Sequence, residues 1–204
     1  MLQLDHIAVL GETLDEAATH AELALGQPLQ PGGRHEAFGT HNRVLGLDPE
    51  IYLEAISRDP AAPPPACARW FGLDYFAGPA RLDKWICRVD DLDAALEVLP
   101  MAGRAVDLER GTLRWRMAVP EDGLLPFDGL FPALIEWQSD VPPGKALPPS
   151  GCGLRELTVA HPDAAGLSDL LTPHLEIPCL RFVEGDRPML RAEIDTAQGT
   201  AILQ

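Results

Sequence analysis

The sequence predicts an α+β fold of tandem βαβββ modules, and three observations predict it. First, Leu4-Asp5-His6-Ile7-Ala8-Val9 reads as a short buried strand, and Glu12-Thr13-Leu14-Asp15-Glu16-Ala17 as the acidic start of an amphipathic helix. Second, the same pair returns as Leu82-Asp83-Lys84-Trp85-Ile86-Cys87 and Asp90-Asp91-Leu92-Asp93-Ala94-Ala95, with Leu4 to Leu82 and Leu14 to Leu92 both 78 residues apart. Third, a fainter copy begins at Leu154-Arg155-Glu156-Leu157-Thr158-Val159, 150 residues after Leu4.

Module 1 is placed at 1–58. Its strand around Leu4–Leu10 leads through Gly11 or Thr13 into a helix. Leu14, Ala17, Ala18, Ala21 and Ala24–Leu25 give that helix one apolar face, and Gly26 suits its C-terminal cap. His41–Leu47 and Glu50–Ile56 alternate as strands around a Gly46-Leu47-Asp48-Pro49 turn. Residues 59–81 form a Pro-rich linker (Asp59–Pro65) and a short helix over Ala66–Tyr75 with Trp70, Phe71 and Tyr75 on one side. Module 2 is placed at 82–140, with a helix over Leu92–Leu99 and strands over Val106–Glu109, Thr112–Val119 and Ala133–Trp137. The loop Pro120–Pro132 is long enough for a lid or rim. A second Pro-rich linker spans 141–153. Module 3 fills 154–204, with a helix over Ala164–His174 and strands over Leu154–Val159, Ile177–Val183, Met189–Ile194 and Thr200–Leu203.

Composition narrows the function. With 16 Lys plus Arg against 31 Asp plus Glu, the formal charge of −15 argues against nucleic acid or an anionic membrane as partner, because both need a basic footprint. The acidic surface is read as a solubilising one. Cys67, Cys87, Cys152 and Cys179 contain no CxxC pair, so a zinc knuckle or redox dithiol is not expected. Cys87 aligns with Val9 and reads as a small core residue. The first residues lack a basic stretch followed by an apolar one, and no run reaches the ~18 apolar residues of a membrane span. A cytoplasmic protein with reduced thiols is the expectation. There is no Ser-His-Asp ordering, and Gly32-Gly33 fits neither phosphate-loop spacing.

Tandem βαβββ units with His on the first strand and Glu on the last resemble the vicinal oxygen chelate superfamily, and within it the glyoxalase-like proteins. The residues carrying the resemblance are Leu4-Asp5-His6, Gly32-Gly33-Arg34-His35, Gly39-Thr40-His41-Asn42-Arg43, Tyr52-Leu53-Glu54, Leu113-Arg114-Trp115-Arg116-Met117 and Leu134-Ile135-Glu136-Trp137. The resemblance implies a cleft between two modules that holds a divalent metal. It assigns His6 and Glu54 as module 1 ligands and Glu136 as the last-strand ligand of module 2. Lys84 takes the place where such metalloenzymes usually carry His. An ammonium cannot ligate until deprotonated, so three of four positions survive.

One imidazole and two carboxylates suit Mn, Fe, Ni or Zn, with open positions for a substrate's paired oxygens. The resemblance therefore implies a metal-dependent enzyme of isomerase, lyase or dioxygenase type. Glu136 could leave the metal as general base, and Lys84 would be an electrostatic or acid–base group. Arg34, Asn42, Arg43 and Arg116 are candidates for binding substrate, with Arg34 or Arg43 clamping a carboxylate through a bidentate contact. A second pairing, module 1 with module 3, would face His6 and Glu54 with Glu156 and Gln204. The remaining module would cover a sheet edge or build a homodimer. Lys84 also supports a different class: its cation stands in the metal's place, and the cleft sequesters a small molecule without metal. A third class is a catalytically dead scaffold. The plainer readings also stand: His6 as a satisfied core histidine, Glu54 and Glu136 as solvent-facing, and the arginines as partners of surface carboxylates.

Overall fold

The computed structural model describes residues 1–48 and 50–204. Its strands are β1 (Gln3–Leu10), β2 (Gln30–His35), β3 (Thr40–Asp48), β4 (Ile51–Arg58), β5 (Arg81–Arg88), β6 (Arg104–Arg110), β7 (Leu113–Val119), β8 (Ala133–Trp137), β9 (Gly153–His161), β10 (Leu180–Glu184), β11 (Met189–Thr196) and β12 (Gly199–Leu203). The helices are α1 (Leu14–Leu25), α2 (Leu92–Val98), α3 (Pro143–Ala146) and α4 (Ala164–Leu171). Among the described residues no helix is long and apolar enough to cross a membrane. The expected turn between β3 and β4 includes Pro49, which lies outside the described residues.

Local chemistry sets the first helix. Thr13 is its N-cap: its hydroxyl accepts from the Glu16 amide at 3.2 Å, and the Glu16 carboxylate accepts from the Thr13 amide at 3.1 Å. This reciprocal pair satisfies two of the amides that a helix start leaves unbonded. Gly26 ends the helix at φ 65°, a conformation only glycine adopts cheaply. Ala17, Ala18, Ala21 and Leu25 are buried against the strands. These small residues let α1 approach the sheet closely.

Eight strands form one sheet in the order β2-β3-β4-β1-β5-β8-β7-β6. Each half is a βαβββ unit whose first strand pairs parallel with its last, β1 with β4 and β5 with β8. The halves join where β1 runs antiparallel to β5, with His6 opposite Ile86, Ile7 opposite Trp85 and Ala8 opposite Lys84. This joint resolves the choice of partners left open by the sequence: module 1 closes with module 2.

The C-terminal strands form a separate sheet, β10-β9-β11-β12. There β9 lies between β10 and β11, parallel to the first and antiparallel to the second. The element order repeats that of the other two units, but the strand order does not, because β9 recruits β10 where β1 and β5 recruit their units' last strands. Glu156 therefore sits on the other sheet. It lies opposite Glu193 and 3.7 Å from Arg181 Nε, and does not meet His6 or Glu54. This second sheet packs against both halves: the His20 Nε2 of α1 contacts the Gln204 carbonyl oxygen at 3.0 Å, and Phe182 meets Trp85 of β5 edge-on at 6.4 Å.

The linkers are structural parts of the domain. Of the helix expected over Ala66–Tyr75 only a single 3-10 turn, Trp70–Gly72, forms. It is interrupted by Phe71 at φ 62°, a left-handed conformation unusual for an aromatic residue. Burial of Trp70 and Phe71 holds that turn in place. The loop 120–132 packs on that turn, where Gly123 O accepts from the Gly72 amide at 2.8 Å, and reaches beyond it: Leu130 O accepts from Trp85 Nε1 at 2.7 Å, and Asp128 contacts His161 at 3.0 Å. Its place is therefore a bridge between the sheets.

Candidate functional site

A small cavity of about 60 Å³ opens on the inner face of the eight-stranded sheet. His6, Asn42, Tyr52 and Glu54 form its floor on the module 1 side, and Trp115, Met117, Ile135 and Trp137 form the module 2 wall. Trp70 and Phe71 close it from the linker, with His35 and Arg110 beside them. Alternation along the strands explains the choice: Tyr52 and Glu54 share one face of β4, and Ile135 and Trp137 share one face of β8.

The floor is a buried chain of charges. His6 Nδ1 lies 2.6 Å from Asp5 Oδ1, and its Nε2 lies 3.5 Å from Glu54 Oε2. Burial alone would lower the His6 pKa, but hydrogen bonds to Asp5 and Glu54 override it and raise the value from 6.5 to about 9. His6 is thus an imidazolium at neutral pH, donating to both carboxylates. Burial likewise favours the neutral form of Glu54, yet His6 and the Asn42 amide bring its pKa below the usual carboxylate value. The remaining acceptors are also used. Trp137 Nε1 donates to Asp5 Oδ2 at 2.8 Å, and Asn42 Nδ2 donates to Glu54 Oε1 at 2.5 Å. The Tyr52 ring stacks on His6 at 4.4 Å.

A second histidine is the opposite case. Arg110 Nη1 lies 2.9 Å from His35 Nε2, and His35 Nδ1 lies 3.0 Å from Thr40 Oγ1. Arginine only donates, so Nε2 accepts and Nδ1–H donates to threonine; His35 is neutral. Burial, reinforced by the Arg110 charge, lowers its pKa to about 4.

Two glycines make this packing fit. A side chain at Gly32 would collide with the Asn42 amide, and one at Gly33 would sit 2.7 Å from Arg110 Nη1. The Gly32-Gly33 pair leaves room for the two side chains that hold Glu54 and His35.

The structure brings only part of the sequence-predicted set together. His6, Glu54 and Asn42 meet in the cavity. Glu136 does not line it. Its carboxylate accepts from the Leu92 amide at 2.8 Å, at the first turn of α2, and lies 3.5 Å from Arg116. Strand register gives the reason. Glu54 pairs with Ala8, and the residue 78 positions after Ala8 is Ile86, which pairs with Ala133. Ala133 therefore holds Glu54's place in module 2, and Glu136, three residues on, faces the helix. Arg116 also faces that way, held 2.9 Å from both Asp93 oxygens and 3.2 Å from Asp107.

Lys84 is buried, but its ammonium turns to the Asp83 carboxylate and the Asp83 carbonyl. Burial lowers its pKa, against the opposing pull of Asp83. Arg34 is largely exposed and lies 3.3 Å from Asp59. Arg43 pairs with Asp15 at 2.7 Å and borders a separate open groove of about 920 Å³.

The four positions where a divalent ion would be held are thus His6, Glu54, Lys84 and Ala133. Of these only His6 and Glu54 are donors; an ammonium and a methyl add none, and two donors do not fit a metal that needs three or four. Among the described residues no group of three His, Cys, Asp or Glu side chains is placed to hold one.

Sequence reasoning missed Asp5, His35, Arg110 and Trp137 as members of the site. An acid adjacent to a strand histidine was the one available signal, for Asp5.

The structure is similar to that of a hypothetical protein from Staphylococcus aureus, with a TM-score of 0.64 at 16% identity, covering 98% of this chain and 92% of that one. That likeness shows the fold. Methylmalonyl-CoA epimerases also match: the Mycobacterium tuberculosis enzyme with a TM-score of 0.43 at 19% identity over 66% of this chain and 85% of that one, and a Streptomyces coelicolor enzyme in complex with 2-nitronate-propionyl-CoA with a TM-score of 0.46 at 16% identity over 68% and 97%. No protein of curated function matches the chain. The glyoxalase-like domain model matches residues 4–175, most of the chain. The chain belongs to the glyoxalase-like domain family.

Proposed function

We propose that this protein binds a small organic molecule in the cavity over His6 and Glu54, without a metal ion. The observation that carries this reading is the asymmetry of the cavity. Its module 1 floor is polar and internally paired, whereas its module 2 wall is Trp115, Met117, Ile135 and Trp137. Apolar walls with few polar groups are the usual makeup of a small-molecule site. The Asp5–His6–Glu54 chain then fixes the floor and orients Asn42.

About 60 Å³ is the share of roughly two waters in the liquid, so the closed cavity admits the head of a ligand while its body extends past Trp70 and Phe71. The strained turn at Phe71 is the segment suited to yield.

The test is NMR of the ¹⁵N-labelled protein in a chelator, titrated with small aromatic ketones, hydrocarbons and carboxylates. Saturable shifts of the Trp115 and Trp137 indole signals are expected with the chelator present. Shifts that appear only after a divalent metal is added, or none with any compound, contradict the reading.

A further inference from the structure

We infer that the ligand presents a hydrogen-bond acceptor, a carbonyl-type oxygen, to the indole N–H of Trp70. This rests on the metal-free binding reading and specifies its ligand.

The first observation is a donor without an acceptor. Among the described residues only two buried side-chain polar atoms lack a hydrogen-bond partner, Asp59 Oδ2 and Trp70 Nε1. Asp59 Oδ2 has the Arg34 guanidinium 3.3 Å away, which leaves the indole as the uncompensated group. Trp70 lines the cavity and is 4% exposed. A buried donor left unbonded costs free energy, so such groups in native proteins are few and call for an explanation.

The second observation is that the neighbouring polar groups are already occupied. Asn42 uses its oxygen for the Gly33 amide at 2.7 Å and its nitrogen for Glu54. Both His35 nitrogens and the Trp137 N–H are engaged. None of them is left to accept from Trp70 or to receive a ligand donor. The unmet demand of the cavity is for acceptors, at the Trp70 indole first and beside it at the Arg110 guanidinium, which uses only Nη1 for His35.

The third is charge. The cations His6 and Arg110 balance the anions Asp5 and Glu54 around the cavity. Among the described residues Arg110 contacts only the neutral His35 and no carboxylate, so an anionic head has a counter-charge here, whereas a cationic head has none. The aromatic rings around the site suit a flat body: Trp115 and Trp137 lie 5.7 Å apart, and Trp70 stands edge-on to His35 at 5.1 Å.

Acetophenone and α-methylstyrene are planar isosteres that differ by an oxygen in place of a CH₂ group, and benzoate supplies the anion. Their dissociation constants are measured by NMR titration, with the Trp70 indole N–H as reporter. Acetophenone is expected to bind roughly tenfold tighter than α-methylstyrene and to move the Trp70 indole signal downfield. In a Trp70→Phe variant, which keeps the ring stacked on Phe38, the two ketone and alkene affinities should converge. Equal affinity in the parent with an unmoved Trp70 signal overturns this inference and leaves the binding reading standing. Tighter binding of benzoate that also moves the Trp70 signal supports the acceptor and sets its charge beside Arg110, whereas tighter binding that leaves the Trp70 signal unmoved overturns the inference. No binding of any of the three, with all indole signals unmoved, overturns both. A Trp70→Phe protein whose backbone spectrum is lost is replaced by Trp70→Leu, which also lacks the donor and where convergence is again expected.

Discussion

Replacing His6 by Leu is expected to lower the free energy of unfolding at pH 7 by about 3–5 kcal/mol, the cost of removing one partner from a buried ion cluster. Among the described residues the imidazolium is the only cation in contact with Asp5 and Glu54, and both carboxylates are almost wholly buried. Without it Trp137 and Asn42 still donate, but two like charges face each other in a medium that solvates neither. By contrast, removing the exposed Arg43–Asp15 pair should cost no more than about 1 kcal/mol. Urea unfolding of the two variants measures the difference. Acidification should partly rescue the His6→Leu protein, since a buried carboxylate that has lost its partner takes up a proton more readily. A loss below about 1 kcal/mol for His6→Leu, similar to that of the surface pair, would mean that His6 is not charged in the fold.

The second large effect is on the pH dependence of stability. For His6 the folded pKa, about 9, is above the ordinary 6.5. Its contribution is therefore complete below pH 6.5 and is lost as pH rises toward 9, amounting to about 3 kcal/mol. For His35 the folded pKa, about 4, is below 6.5. Its contribution is complete above pH 6.5 and is lost as pH falls toward 4, by a similar amount of about 3 kcal/mol. Glu54, whose pKa is lowered, adds to the loss on the acid side. Stability is thus expected to peak near pH 6.5 and to fall on both sides. Denaturant unfolding from pH 4 to pH 9 reads the profile. His6→Leu should remove the alkaline limb, and His35→Gln should make the acid one shallower, leaving the part due to Glu54. A profile in which His6→Leu leaves the alkaline limb unchanged would contradict the assignment.

Much of the fold was legible because it repeats. The strand–helix pair at Leu4 and Leu82 carries its own period, and the caps Thr13 and Gly26 mark a helix by local chemistry alone. His6 and Glu54 were legible for a related reason: each is a polar residue on an otherwise apolar strand. Glu136 has the same appearance, and sequence cannot separate the cases. Its place depends on the register between β5 and β8, which the intervening helix, β6, β7 and the loop 120–132 set together. A shift from Ala133 to Glu136 moves the side chain to the opposite face. The closing wall was hidden for another reason. Asp59–Pro65 reads as a spacer by composition, yet the chain beyond it folds Trp70 and Phe71 onto a cavity built by other segments. His35 and Arg110 are 75 positions apart, and only the curl of the sheet makes them neighbours.

The most direct measurement is calorimetric titration of chelator-treated protein with Mn²⁺, Ni²⁺ and Zn²⁺, beside a Lys84→His/Ala133→Glu variant. The parent is expected to give no heat of stoichiometric binding, and the variant, with four donors at the four register positions, to bind one ion. Stoichiometric, tight binding by the parent that is lost on His6→Ala would contradict the metal-free cavity and restore a metal centre at His6 and Glu54.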